Sequence, residues 1–408
     1  MEASQIIAVL KTWNPWEKPI EAGIPRPLYI NRIYPFMDMQ EVLILQGIRR
    51  AGKSTLIKQL IQELIQHLVN PRQILYLNLD DYNFEPYLKL GLLEEVLTAY
   101  KAFTRNTQKI YFFIDEVQRL EGWEKLVRTY QERGENIKFV VSGSSSRLMS
   151  RETATLMTGR NITFIIRPLS FQEFRSFSST GSLQEYLEFG GFPAVVLQPS
   201  EFKKRMLLHQ YFTDIIYKDV IARHNVRNAK QLMEVATYLV SNAGGKVSVN
   251  KLSKVLGLST TALSLYISYL IEAYLLVEVS WFSYSLKTRH DVTKLPKLYV
   301  LDNGLINVVS VRYSQNRGQM FENTVLLHLT ETYPEIHYWS SGKAEVDFIV
   351  EGKAINVTAT DFIPEREEQG LQEFLQKHRR FLPLLITASV TGKSRMSLLE
   401  FLLWNLRE

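Results

Sequence analysis

The stretch from Leu43 to Ile65, LILQGIRRAGKSTLIKQLIQELI, limits what this chain can fold into more than any other part of it. Gly47, Gly52, Lys53 and Ser54 stand in the order GxxxxGK[ST], with an apolar strand-like run before them and a run of helical period after them. That is the spacing of a phosphate-binding loop, the Walker A pattern, in the strand-loop-helix setting it requires. A polyphosphate carries several charges on closely spaced oxygens, so backbone N–H groups must wrap it before any side chain can help. Gly47 lets the chain leave the strand sharply, and Gly52 removes a Cβ that would keep backbone from phosphate. The run Gly47, Ile48, Arg49, Arg50, Ala51, Gly52, Lys53, Ser54, Thr55 then makes an anion nest at a helix N-terminus. Lys53 is expected to reach the β and γ phosphates and Ser54 to give its hydroxyl to a magnesium ion, so ATP and Mg2+ are the implied ligands. After the loop, Leu56/Ile57, Leu60/Ile61, Leu64/Ile65 and Leu68 form one apolar stripe, which leaves Lys58, Gln59, Gln62, Glu63 and Gln66 to face water.

The rest of the sequence gives this loop a plausible carrier. At 408 residues with 46% apolar and 12% aromatic content, two to four domains with real cores are expected. There is no cysteine, hence no disulfide framework and no thiolate metal site, and seven scattered histidines show no ligand spacing for zinc. The start, MEASQIIAVLKTW, has an acidic residue where a signal peptide needs basic ones. No apolar run approaches the roughly 18 residues of a membrane span, so a cytoplasmic protein without a membrane partner is expected. Forty-eight basic against 42 acidic residues, a formal +6, is an excess that suits contact with nucleic acid and that many ordinary enzymes share.

Residues 3 to 13 read as a short helix, and Pro15, Pro19, Pro25 and Pro27 then break regular structure up to Tyr29. This is an arm, with Trp13 and Trp16 as anchors. From Val42 strand and helix alternate: VLILQG, the loop helix, ILYLNLDD at 74 to 81, a helix near 92 to 103, KIYFFIDEV at 109 to 117, a helix from Trp123 to Glu132, KFVVSGSS at 138 to 145 and ITFII at 162 to 166. Near-continuous apolar strands separated by helices predict an α/β fold, a parallel sheet covered on both faces, here a P-loop NTPase core.

In IYFFIDE, a buried strand delivers Asp115 and Glu116, the Walker B acids, to the carboxyl edge where ligands of open α/β sheets bind. Asp115 is expected to hold the magnesium ion, and Glu116 to accept the proton of the attacking water. At the end of the next strand stand Ser142, Ser144, Ser145 and Ser146, and Ser144 is the choice for a γ-phosphate sensor against a plain serine-rich turn. Arg160, in TGR, is read as an arginine finger, acting within the chain or on a neighbouring copy, against a surface arginine.

Beyond it, Ser170 and Glu173 have capping-box spacing, with Phe171 and Phe174 packing. Residues 175 to 245 read as helical, broken at Gly190, Gly191 and Pro193. Residues 246 to 300 have winged-helix character: a helix from Lys251 to Leu256, a turn at Gly257, a second helix from a Ser259 cap to about Ala273, and wing strands in VEVSWFS and KLYVLD. Leu263, Tyr266, Ile267, Leu270 and Ile271 form its core stripe. That leaves Thr261, Ser264, Ser268, Tyr269 and Glu272 exposed, with no side chain suited to reading base edges, while Lys251, Lys254, Lys287, Arg289 and Lys294 suit phosphates. The partner is thus DNA bound without strong sequence preference, or a protein. The last hundred residues form another α/β unit, in which Glu322, Glu345 and Asp347 read on spacing alone as ordinary polar positions. The domains expected are an arm over 1–30, an ATPase domain over 31–175, a helical and winged-helix domain over 176–310 and a C-terminal domain over 311–408.

GIRRAGKST, FIDEVQRLEGWE, VVSGSSSRL, TGR, RPLSFQEF, GGFP, YFTDIIYKDVI, PKLYVLDNGL, FEN and EVDFIV together resemble a large archaeal and bacterial family of AAA-type ATPases, from Arg32 to the C-terminus. The resemblance implies a P-loop ATPase with an inserted catalytic-glutamate strand, a winged-helix segment and a restriction-endonuclease-like C-terminal domain of the PD-(D/E)xK fold. In that pattern the helix acid is Glu322 and the metal-binding aspartate is Asp347, and a following strand should read ExK. Here it reads Asn356, Val357, Thr358, so nuclease activity is not expected unless a lysine such as Lys343 or Lys353 arrives from elsewhere. Two other readings stay open: a nucleotide-gated switch with negligible hydrolysis, and an ATP-assisted DNA nuclease.

Overall fold

Runs such as VLILQ and IKFVVSG have no polar alternation, and every residue in both is buried. They are β1 (Val42–Gln46) and β4 (Ile137–Gly143) of a five-stranded sheet with β2 (Ile74–Asn78), β3 (Ile110–Asp115) and β5 (Asn161–Ile165). All pairings are parallel and the order is β2-β3-β4-β1-β5, so β4 is inserted between the loop strand and the acidic strand. The computed structural model describes residues 1–144, 159–285, 294–310 and 317–404, and by contacts the chain separates into two units, Met1–Arg167 and Pro168–Glu408. Ser145, Ser146, Lys287 and Arg289 lie outside the described residues.

The first unit adds helices α1 (Ala3–Trp13), α2 (Pro27–Ile33), α3 (Lys53–Gln66), α4 (Gly91–Thr104) and α5 (Trp123–Glu132). Pro27 opens α2, where its missing N–H costs nothing; the proline count had concealed this helix. The arm is firmly held. Trp13 Nε1 donates to Asp81 Oδ2 at 2.7 Å, and Trp16 Nε1 to the Ile74 carbonyl at 2.7 Å. Asn14 takes both backbone groups of Tyr76, accepting from its N–H at 2.7 Å and donating to its carbonyl at 2.9 Å. As β2 is an edge strand, Asn14 and Trp16 stand where a further strand would pair, and so blunt that edge.

Gln59 and Gln62 do not face water as their helix periodicity suggests. Gln59 is 5% exposed and donates to the carbonyls of Ala22 and Ile24 at 2.9 and 2.7 Å, while Gln62 donates to Ile20 at 2.8 Å. The irregular arm has no ladder for its carbonyls, so polar side chains of α3 supply the donors.

In the second unit Ser170 and Glu173 form the expected capping box, with Phe171 and Phe174 buried. Helices Leu183–Phe189, Glu201–Asp214, Ala229–Ser241, Val249–Leu256 and Thr260–Glu272 follow, and Ile215–Ile221 is π-helical. Ser259 caps the last of them, and Leu263, Ile267 and Leu270 are buried. Tyr269 is half-buried rather than exposed, because its ring stacks on His224 at 3.6 Å. A mixed sheet of order β12-β11-β10-β9-β8-β6-β7 completes the unit. It comprises β6 (Leu276–Trp281), β7 (Lys297–Val300), β8 (His337–Ser341), β9 (Ala344–Val350), β10 (Lys353–Val357), β11 (Leu382–Thr387) and β12 (Arg395–Ser397). The two strands expected as a wing form the antiparallel β6–β7 pair, and β6 also runs parallel to β8.

The GGFP turn owes its glycines to Asp302, whose buried carboxylate accepts from Gly191 N–H at 2.7 Å and Gly304 N–H at 2.8 Å. A Cβ on Gly190 would lie 1.9 Å from Asp302 Oδ1, and one on Gly191 2.3 Å from the Leu169 carbonyl. Burial, opposed by these N–H bonds, pushes the Asp302 carboxyl up to about 7.

Candidate active site

Parallel strands end at one edge, and the register fixes what meets there. Gln46 lies opposite Gly143, and Asn78 opposite Asp115. The loop after β1, the acids ending β3 and the serines ending β4 therefore share the carboxyl edge, as the sequence predicts. Gly47 leaves β1 at φ 147°, where a Cβ would sit 2.0 Å from the carbonyl of Ile166, just past β5. Arg50 and Gly52 both have left-handed φ, 68° and 93°, and α3 begins at Lys53. Alternating backbone of this kind turns successive N–H groups to one side, the geometry of an anion nest. The Lys53 ammonium, buried, donates to the carbonyls of Gly47 and Ile48 at 2.9 Å each, which holds it across the loop.

Asp115 is buried and accepts from two neutral donors, Ser142 Oγ and Tyr76 Oη, the latter at 3.0 Å. These fix the carboxylate's orientation without neutralising it. Burial and the Asp115 charge in turn raise the Tyr76 hydroxyl far above its usual range, so it stays a donor. Glu116 adopts a left-handed φ of 55° on leaving β3 and accepts from Gln118 Nε2. Burial raises its carboxyl, against the pull of the Lys53 ammonium, which brings its proton affinity closer to that of a useful base. Sequence reasoning gives Tyr76 and Gln118 no role: Tyr76 lies on a different strand, and Gln118, though inside FIDEVQRLEGWE, has no assigned chemistry by spacing. Ser144, the residue after β4, is buried beside this edge.

The loop, with its left-handed residues, an ammonium and two carboxylates at one edge, fits a nucleoside triphosphate with a divalent ion. Ser54 and Asp115 are the residues that could hold the ion.

Arg160 lies elsewhere. Val42, the first residue of β1, pairs with Asn161, and Val42 N–H donates to the Arg160 carbonyl at 2.9 Å. Arg160 therefore stands at the amino edge, with the length of β1 between it and the loop. Its guanidinium pairs with Glu132 at 2.9 Å beside a cavity of about 490 Å³ lined in part by Asp38, Lys109 and Glu135. A finger acting on the chain's own loop is excluded by this placement.

The second unit gathers the acids that spacing left scattered. Glu322, Glu345, Asp347 and Glu367 border a cavity of about 690 Å³. Into their midst comes Lys297 from β7, 3% exposed, with Nζ at 2.9 Å from Glu322, 2.7 Å from Glu345 and 3.3 Å from Asp347. Burial alone would lower this lysine, but Glu322, Tyr299, Asp347 and Glu345 together hold it well above its usual range. Burial, then Glu322, pushes the Asp347 carboxyl up. Asn356 pins the strand beside it, accepting from Asp347 N–H at 3.0 Å and donating to the Glu345 and Glu367 carbonyls at 3.2 and 2.9 Å. Of the lysines weighed as replacements, Lys343 lines the cavity, whereas Lys353 points to the Tyr333 hydroxyl at 3.3 Å and lies over Trp404. Thr358 Oγ1 bonds Thr360. Lys297 was missed because it precedes the last α/β segment in sequence.

A family described as "AAA domain" matches residues 39–175, and a "Domain of unknown function (DUF8612)" matches residues 180–316. Over 339 residues the chain is 31% identical to uncharacterized protein MJ1544 of Methanocaldococcus jannaschii, covering 77% of this chain and 73% of that one. The chain belongs to the family of that protein. An uncharacterized protein of Haemophilus influenzae is 28% identical over 390 residues, covering 91% of this chain and 94% of its own. Among solved structures, the Signal Transduction ATPase with Numerous Domains (STAND) protein PH0952 of Pyrococcus horikoshii aligns at 12% identity and a TM-score of 0.29. This chain spans 47% of that one, with 79% of its own length aligned. The match over residues 39–175 gives this chain an AAA-type ATPase domain, which implies ATP binding and hydrolysis. Among the described residues no single helix is long and apolar enough to cross a membrane.

Proposed function

We propose that this protein is a Mg2+-dependent ATPase of the cytoplasm whose second unit couples nucleotide state to a partner. The observation that carries the reading is the insertion of β4 between β1 and β3, which sets the loop, Asp115, Glu116 and Ser144 along one sheet edge. In this reading the loop amides and Lys53 bind the β and γ phosphates. Ser54 and Asp115 hold the divalent ion, which neutralises phosphate charge when bound. Glu116, raised by burial, takes a proton from the attacking water, Gln118 fixes its carboxylate, and Ser144 contacts the γ-phosphate.

The division into an arm (1–30), an ATPase domain (31–175), a helical and winged-helix domain (176–310) and a nuclease-like domain (311–408) belongs to this proposal. So does DNA as the partner, bound by its phosphates; a protein is the alternative. The nuclease-like domain is proposed to be inactive, because neutral Asn356 stands where a carboxylate is needed and Lys297 is engaged by three acids. The test is nucleotide affinity and steady-state hydrolysis for wild type, Lys53→Ala and Glu116→Gln, with and without DNA. Lys53→Ala should weaken binding, while Glu116→Gln should bind normally and nearly stop turnover. Equal hydrolysis by wild type and Glu116→Gln would remove Glu116 from the mechanism, and a wild type that binds but never turns over would favour the switch.

A further inference from the structure

An anion nest presents N–H groups on one side only by turning its carbonyls to the other, and buried carbonyls need donors of their own. In this loop Ala51 is fully buried between left-handed Arg50 and Gly52. Its carbonyl belongs to the same peptide as the Gly52 N–H. The donor it receives comes from the N-terminal arm: Arg26 Nη1, at 2.8 Å. Arg26 is 2% exposed, and its fork is fully engaged in positioning: Nη2 donates to the Arg167 carbonyl at 3.1 Å, while the guanidinium lies over the Tyr29 ring at 4.5 Å. The Arg26 N–H is itself held by Gln59 Oε1 of α3 at 3.1 Å, the helix that the loop opens. The Tyr29 hydroxyl accepts from Arg167 N–H at 3.0 Å, and the preceding residue's N–H, that of Ile166, reaches the Gln46 carbonyl at 2.7 Å. One planar cation thus joins the back of the loop to the segment beside it, in a buried site.

We propose that Arg26 is a positioning residue for the phosphate-binding loop, setting the Ala51–Gly52 peptide so that its N–H faces phosphate. The inference rests on the nucleotide-binding reading above and adds to it a residue of the arm. Two effects follow from the geometry. The fork fixes the peptide plane, since two donors in one plane reach two carbonyls. A charged donor on the carbonyl also polarises the peptide, and its N–H becomes a stronger donor at the other end. A charge-assisted bond of this kind, once lost, should weaken nucleotide binding by about 10- to 100-fold.

The experiment is calorimetric titration of ATP into wild type, Arg26→Met and Arg26→Lys, with the melting temperature taken on each sample. Stoichiometry separates positioning from folding, because a damaged fold lowers the number of sites while a misaligned loop raises Kd at full stoichiometry. The expected result is full stoichiometry with Kd raised 10- to 100-fold in Arg26→Met, partly recovered by millimolar guanidinium ion. Arg26→Lys, which keeps the charge but cannot span both carbonyls, should fall between the two, and it carries the test if Arg26→Met does not fold. Wild-type Kd in Arg26→Lys and Arg26→Met, or a loss of sites with Kd unchanged, would overturn the inference alone. A wild type that binds no nucleotide would take both readings down.

Discussion

Replacing Lys297 by Met removes a buried cation from among three carboxylates while keeping most of its apolar stem. Breaking a buried ion pair from one side costs about 3–5 kcal/mol, because the remaining charges lose their partner without regaining water. The Glu345 side chain is 35% exposed and can turn to solvent, but Glu322 and Asp347 are 21% and 13% exposed and face each other across the gap. The lower end, about 3 kcal/mol, is therefore the expectation. For a unit of this length that corresponds to a melting shift of about 6–12 °C. Asp347, whose carboxyl burial and Glu322 already push up, can relieve the repulsion by taking up a proton, so the deficit should be smaller at pH 5 than at pH 8. Adding Asp347→Asn should return part of the loss, since it removes one of the stranded charges. The measurement is thermal unfolding of the whole chain, with hydrogen exchange of peptides covering β7 and β9 to report this unit separately. A Lys297→Met melting point within about 2 °C of wild type at pH 8 would show the ammonium is not what holds these carboxylates.

Four other outcomes are expected. Asp302 has a folded pKa of about 7, above the roughly 3.9 of an unfolded aspartate, so folding takes up a proton. Its contribution is largest below pH 4, is lost as pH rises towards 7 and is level beyond; urea midpoints for Asp302→Asn should be flatter across that window, and an unchanged slope would contradict it. Gln59→Leu removes the donor to Ala22 and Ile24 and the acceptor for Arg26 N–H, so it should cost about 2–3 kcal/mol and open residues 15–27 to limited proteolysis. If DNA is the partner, duplexes of unrelated sequence should bind alike and with steep salt dependence, since the helix Thr260–Glu272 carries no Arg, Lys, Asn or Gln; a preference for one duplex that survives high salt would refute this. With magnesium or manganese the protein should leave linear, circular and single-stranded DNA intact, and cutting that disappears in Asp347→Ala would show that the site is alive.

The loop and the acidic strand were legible because their chemistry lies in contiguous residues, where spacing alone sets geometry. Alternation of strand and helix does not fix strand order; the insertion of β4 was legible only through the resemblance, which implies an inserted strand. Arg26 and Lys297 left no local signal, since each acts on residues far along the chain and is recognised only by what surrounds it. Gln59 was misread because periodicity counts Leu and Ile and is blind to a polar side chain buried against irregular backbone. For Arg160, the option of acting on the chain's own loop had an available check: a residue just ahead of a parallel strand lies at the amino edge, away from where the strand delivers its ligands.

The position of β1 also bears on how the chain is made. Its neighbours in the sheet are β4 and β5, and roughly a hundred residues separate Gln46 from Gly143. A ribosome adding about 5–20 residues per second leaves VLILQ without a native neighbour for roughly 5–20 seconds, together with the apolar stripe of α3. Such non-local pairing makes for slow folding and exposes an adhesive strand while it waits. The nascent first unit should therefore be a client of holding chaperones until β4 emerges, and a ribosome stalled before residue 137 should present a chain that aggregates on release.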